Sequence, residues 1–501
     1  MSRRPSSPPR VRCGSRCGRW SRAEARRRGA RTAAPGPPTP AACSFAALSA
    51  RRSLGAVRSR RGVAAVLTAA ALLVAACSSD PPGSAPEGPA APQPAGAPGA
   101  AAAAGADARD PAADDGPEPV RIGVIMATGG RLAAQDGPVL DALAYAVRQV
   151  NASGGLLGRP LELLFEDSDS ELNTAFKAAQ RLIDRSVEVF FVSCDQYFNR
   201  PVREVAHGAG ALVIVPCGPE PAPTLPNGRA RVFAAATPAA DYGRALADHA
   251  AEAGIGSVAV LVESDKPEAV EMCDSFDRRF AALGGSTGFT LRFDRFWLGA
   301  QAVVGAQATA RVLAPASRFP AVVLCAAVGG RGTQMFDLLR AAGVESEVLA
   351  PAALDGVAWQ RGVFGLEPLT VITEASTFGD DPSAQVNAYF ASIITGDLRL
   401  TPEGPDGGED PRSLADVEDR VGWAVTGAEA LWIFVRAVQR TGSLDPAVLA
   451  ADIEQFDDVE LWMDSASFST FRHAAVGRAL RVIRHANGAS RLIEVRTPSR
   501  P

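Results

Sequence analysis

Residues 120–169 limit what this 501-residue chain can fold into more than any other stretch. An apolar run, VRIGVIMA, ends in Thr128-Gly129-Gly130, the pattern of a buried strand entering a tight turn. Val139, Leu140, Leu143, Ala144, Val147 and Val150 then recur at helical spacing and give one apolar face. Gly154-Gly155 stops that helix, and Pro160 prevents its resumption. A second apolar run occupies 161–165. Strand, crossover helix and strand make a right-handed parallel unit. Sheets built of such units bind ligands beyond the carboxyl ends of their strands, here 127–131 and 166–169.

The alternation continues. Ala175, Phe176, Ala179, Leu182 and Ile183 mark a second helix. Strands are predicted at 187–192, 211–215, 231–236, 257–262, 289–293, 321–325 and 369–374. Helices are predicted at 202–209, 240–253, 268–283, 300–313, 332–342, 382–394 and 423–439. Residues 480–483 and 492–495 read as a closing hairpin about Asn487-Gly488. Regular alternation of this kind gives α/β architecture, with parallel sheets covered by helices on both faces. So many units predict two lobes. Residues 398–420, rich in Pro, Gly and Asp, read as a surface insertion.

The formal charge of -4 conceals two unlike parts. Residues 1–76 carry 16 Arg and a single acid, Glu24, and the remainder holds 35 basic against 54 acidic residues. A body that acidic argues against nucleic acid or an anionic surface as partner. The basic head reads as a nucleic-acid arm or as a signal sequence behind an upstream extension, and the second reading is preferred. Arg58, Arg60 and Arg61 form a charged region, and 63–74 is an apolar run of signal-peptide length. Val74-Ala75-Ala76-Cys77 then resembles a bacterial lipobox, which implies cleavage before Cys77 and lipidation of its thiol. The alternative is a chance Cys after an alanine-rich signal. Residues 1–57 lack periodicity, as a mis-assigned start codon would leave them. Residues 77–119 are dominated by Ala, Pro and Gly and predict a flexible tether.

The sequence carries no familiar catalytic pattern in its proper context. No G-x-x-x-x-G-K-[ST] occurs. Gly284-Gly285-Ser286-Thr287-Gly288 fits G-x-S-x-G but follows a helix and precedes a strand, the reverse of a nucleophile elbow. The four His, at 207, 249, 473 and 485, show no zinc spacing. No enzyme activity, metal or cofactor is expected. Cys194 and Cys217 close two strands expected to be sheet neighbours, so a disulfide joins them or two small buried thiols stand there. Cys273 falls on a helix and Cys325 ends a strand.

The opening stretch resembles the type I periplasmic binding proteins, especially the leucine/isoleucine/valine-binding group. The matching residues are Ile122-Gly123-Val124, Thr128-Gly129, Asn151-Ala152-Ser153-Gly154-Gly155, Gly158-Arg159 and Glu166-Asp167. The resemblance implies two doubly wound lobes, 120–238 with 373–465 and 239–372 with 466–497, joined by three crossings near 238, 372 and 466. It implies a monomer in the periplasm, held to the envelope membrane by its lipid. It further implies a small-molecule solute bound between the lobes and delivery to the membrane subunits of an ABC permease.

Candidate ligand residues follow from strand ends facing that cleft. In the first lobe they are Cys194, Asp195, Gln196, Tyr197, Gly218 and Pro219. Asp195 is a ligand group or a cap for the next helix, and Tyr197 meets ligand or fills core. In the second lobe they are Asp265, Val328, Gly329 and Asp355. Asp355 stands where amino-acid-binding relatives carry an acid for the ligand ammonium. Gly218 and Pro219 stand where those relatives hold the ligand carboxylate with Ala-Thr, and Val328 where many carry an aromatic. A polar solute is therefore expected, amino-acid-like or related. A ligand sensor, or an envelope lipoprotein that uses the fold to touch another protein, remain alternatives.

Overall fold

The computed structural model describes residues 117–218, 224–225, 228–356, 367–395 and 420–499. The basic head, the apolar run, Cys77 and nearly all of the tether lie outside them, as do Pro219 and the insertion save Arg420.

The strands run β1 (Val120–Met126), β2 (Leu161–Asp167), β3 (Val189–Val192), β4 (Leu212–Val215), β5 (Thr224–Leu225), β6 (Gly228–Arg229), β7 (Val232–Ala234), β8 (Ser257–Glu263) and β9 (Ser286–Phe293). They continue as β10 (Ala321–Cys325), β11 (Glu347–Pro351), β12 (Leu369–Thr373), β13 (Val459–Glu460), β14 (Ser465–Ser469), β15 (Arg472–Val476), β16 (Leu480–Ala486) and β17 (Ala489–Arg496). One sheet has the order β13-β14-β15-β7-β4-β3-β1-β2, the other β17-β16-β12-β11-β10-β8-β9. All pairings through β7-β4-β3-β1-β2 and β12-β11-β10-β8-β9 are parallel. The two-lobe α/β architecture is thus present, each lobe a doubly wound sheet.

The helices are α1 (Ala133–Ala152), α2 (Leu172–Asp184), α3 (Gln196–Gly208), α4 (Ala239–Glu252), α5 (Pro267–Ala282), α6 (Arg295–Val304), α7 (Ala306–Leu313), α8 (Gly332–Ala341), α9 (Ala384–Thr395), α10 (Thr426–Thr441) and α11 (Pro446–Ile453). In α1 the face Val139, Leu143, Val147 and Val150 is buried, as its spacing requires. Against it lies α10. A Cβ on Gly427 would come 2.0 Å from the Val139 carbonyl oxygen, so only glycine permits this crossing.

The chain passes between the sheets three times, after β7, after β12 and after β15. The third passage corrects the position near 466. Ser465–Ser469 and Arg472–Val476 both belong to the first sheet, and the passage is the segment 477–479. The polar Ser and Arg residues of 465–476 hide these strands from any apolar pattern. The single helix predicted at 300–313 is two, divided at Gly305 (φ 83°). The hairpin forms as β16 and β17, with positive φ at Asn487 and Gly488.

Candidate functional site

The strand ends of the two sheets face a cavity of about 390 Å³. Behind its first wall stands Asp136, in the opening turn of α1 and fully buried. This carboxyl accepts from Ala127 N at 2.9 Å, Cys194 N at 3.0 Å and Ser193 Oγ at 3.1 Å, drawing the ends of β1 and β3 together. Burial pushes its pKa up to about 6, against the lowering effect of those bonds. Cys194 and Cys217 are disulfide-bonded with Cα atoms 4.8 Å apart, and both line the cavity. Gln196 and Gly218 also line it. Asp195 does two things at once. Its Oδ1 caps α3 by accepting from Tyr197 N at 2.9 Å and Phe198 N at 3.3 Å, while its side chain borders the cavity with Arg131 3.8 Å away. Tyr197 borders the cavity and is 68% exposed, so it fills no core.

The second wall repeats the plan. Glu263, fully buried at the end of β8, accepts from Ala327 N at 3.3 Å and Arg331 N at 2.9 Å, with Arg331 Nη1 at 3.2 Å. Burial raises its pKa. Cys273 of α5 and Cys325 of β10 form a second disulfide, Cα to Cα 5.8 Å, which sequence reasoning did not pair. Nothing in the sequence brings a helix face over a given strand end. Asp265 lines the cavity and takes Arg331 Nη1 at 3.1 Å. Lys266, Glu268, Met272 and Val328 line it as well.

Two expected residues stand elsewhere. Gly329 lies off the cavity, at φ 70°, where the lobes approach: a Cβ there would come 2.8 Å from Gln135 Oε1 of α1. Asp355 is corrected as a ligand group. It is 5% exposed and behind the wall, accepting from Thr373 Oγ1 and, at 2.6 Å, from Gly422 N. It thereby fixes the turn that carries Trp423, which does face the cavity. Burial raises the Asp355 pKa to about 7, partly offset by these donors.

The floor was not foreseen. It holds Glu374, Thr237, Tyr242 and Trp423. Glu374, 1% exposed, accepts from Thr237 N and Thr237 Oγ1, both at 3.1 Å, and from Tyr242 Oη at 3.2 Å. Arg478 Nη1 lies 3.5 Å from it and donates to Ala235 O at 2.7 Å. Thr237, Glu374 and Arg478 follow β7, β12 and β15 respectively, so one buried cluster ties the three passages. The one available signal was an acid directly after the largely apolar strand LTVIT. Among the described residues no group of three or more His, Cys, Asp or Glu is arranged to hold a metal, and no helix is long and apolar enough to cross a membrane. The arrangement suits enclosure of a solute by two walls.

Comparison with known proteins agrees with this geometry. No curated protein sequence matches the chain. A leucine-binding protein from Thermotoga maritima is 19% identical, with 76% of this chain and 99% of that one covered at a TM-score of 0.56. An ABC transporter substrate-binding protein from Desulfitobacterium hafniense in complex with Leu is also 19% identical, covering 75% and 100% at a TM-score of 0.57. A solute-binding protein of an ABC transporter from R. palustris, in complex with benzoate, is 18% identical, covering 76% and 97% at 0.56. The family model described as periplasmic binding protein matches residues 119–398. With more than half its length matched by that model and both lobes in place, the chain belongs to the periplasmic binding protein family.

Proposed function

We propose that this protein captures a small polar solute, amino-acid-like or related, between its lobes and delivers it to an ABC importer, held to the envelope membrane by lipidated Cys77. One observation carries the reading: a cavity of about 390 Å³ sits at the facing strand ends, with three chain passages tied together beneath it. That volume is in the range of small-molecule sites, roughly 300–1,000 Å³. Hinge closure around such a site needs connecting segments without regular structure, which 235–238, 374–383 and 477–479 supply. The neighbouring structures hold leucine in one case and benzoate in another, which supports a ligand of this size. Asp195, Gln196, Tyr197, Asp265 and Val328 contact it, joined by Thr237, Tyr242 and Trp423.

A thermal-shift screen over amino acids, amides, carboxylates, aromatics and amines tests the reading. A ligand present at 100 times its Kd adds about 2.7 kcal/mol of stability. At least one class is expected to raise Tm, with a mature terminus at lipidated Cys77 by mass spectrometry. Recovery of a protein partner with no solute in any class overturns solute capture. An unmodified or absent Cys77 overturns the anchor alone.

A further inference from the structure

The two hydroxyls of the cavity floor, Thr237 and Tyr242, offer acceptors and no donors. Thr237 Oγ1 and Tyr242 Oη both give their protons to Glu374, at 3.1 and 3.2 Å. A hydroxyl has one proton, so each presents only lone pairs to anything above it. Glu374 itself is enclosed by Thr237 N, these two hydroxyls and Arg478. Tyr242 keeps its proton: burial and the Glu374 charge hold its pKa well above the usual value.

The charge beneath the floor points the same way. Arg478 stands between Glu374 at 3.5 Å and Glu429 at 3.7 Å. Arg481 beside it is held by Asp381 at 3.0 Å and Asp464 at 2.6 Å. Two guanidinium groups thus face four carboxyls in one nearly dry region. The cations on the walls stand among acids that also line the cavity, Asp195, Asp265 and Glu268. Arg131 is turned to Asp195 and lies over the Phe198 ring at 4.7 Å, and Lys266 is two residues from Glu268 and adjacent to Asp265.

We infer that the ligand carries a protonated amine and seats it on Thr237 and Tyr242, with its apolar part against Tyr197, Trp423 and Met272. The inference rests on the solute-capture reading and narrows it to organic amines. The ammonium N–H groups meet the lone pairs of these two hydroxyls, and Glu374 with the acid-rich cluster about Arg478 lies behind them.

The test uses three probes of one shape on the whole protein: phenethylamine, 2-phenylethanol and 3-phenylpropionate, by calorimetry. Phenethylamine is expected to bind at least about tenfold tighter than the alcohol, the effect of a charge-assisted hydrogen bond. The carboxylate is expected to bind weakest. Tyr242→Phe and Thr237→Val each remove one acceptor, and each should reduce the amine-to-alcohol ratio several-fold, a ratio that a merely structural role would leave alone. Tightest binding of 3-phenylpropionate, or an unchanged ratio in both variants, overturns the inference. So does a ligand from the broad screen that lacks a cationic nitrogen, with solute capture still standing. If no solute binds at all, both readings fall together.

Discussion

In the first lobe Asp136 gathers the ends of β1 and β3 by accepting from Ala127 and Cys194. In the second, Glu263 gathers the ends of β8 and β10 by accepting from Ala327 and Arg331. Each wall also has one disulfide near a strand end. The walls differ in charge. Glu263 has the Arg331 guanidinium at 3.2 Å, whereas no cation is among the groups that set the Asp136 pKa. They differ again in where the disulfide lies, since Cys194 and Cys217 face the cavity while Cys273 and Cys325 do not. The same backbone problem, strand ends with unpaired N–H groups, has been met once by a buried acid with no cation beside it and once by an acid paired with Arg331.

The largest expected effect separates the two disulfides. Cys273 and Cys325 are 52 residues apart and Cys194 and Cys217 are 23 apart. Chain-entropy reasoning gives losses of about 4 and about 3 kcal/mol on replacement by Ala. Denaturant unfolding of the two double variants should show that order. Ligand affinity should fall only for the Cys194/Cys217 variant, and equal losses would erase the distinction between the walls.

Lowering pH should stabilise the protein through its unpaired acids. Asp136 and Asp355 hold their protons in the folded chain up to about 6 and about 7, while the unfolded chain releases them near 3.8. The folded state therefore binds more protons in that window, and its stability declines as pH rises through those values. From about pH 5.5 to about pH 8, Asp355 alone contributes a decline on the order of 2 kcal/mol. Tm measured across that range should fall, and Asp355→Asn should flatten the slope near neutrality. An unchanged slope in the variant would show that Asp355 is not the group responsible.

Asp136→Asn and Glu263→Gln come next. Each leaves a buried N–H facing an amide, a cost of about 1–3 kcal/mol. Only Glu263→Gln also removes a charge from beside Arg331, so its Tm loss should shrink with added salt less than that of a surface pair. Identical salt behaviour of the two variants would contradict the contrast drawn between the walls. The smallest stability effect belongs to Gly329→Ala, about 1 kcal/mol for the positive φ. Its effect on affinity should be larger than that, because the added carbon meets Gln135 where the lobes approach.

The sequence exposed the lobes because most of their strands are apolar runs and their helices amphipathic, two patterns that local reading separates well. Ser465–Ser469 and Arg472–Val476 escaped because about half of each strand is polar, and the pairing of β15 with β7 that joins them to the sheet is distant in sequence. The loop 194–197 was legible as a strand end. Asp355 misled, since an acid after a strand is equally a ligand group or an internal tie, and only the position of Gly422 decides. The floor residues Thr237, Tyr242 and Glu374 come from two distant passages, so no window of sequence contains them together.

The pairing of Ala474 with Ala234 has a consequence for the order of synthesis. When β7 leaves the ribosome, its outer edge has no neighbour. The strand that covers it, β15, is made only after every parallel strand of the second lobe. An unpaired edge of this kind invites pairing with other chains. A nascent chain halted anywhere between β7 and Arg472 therefore carries an open, adhesive edge, and neither lobe can be obtained by cutting the gene at a single point.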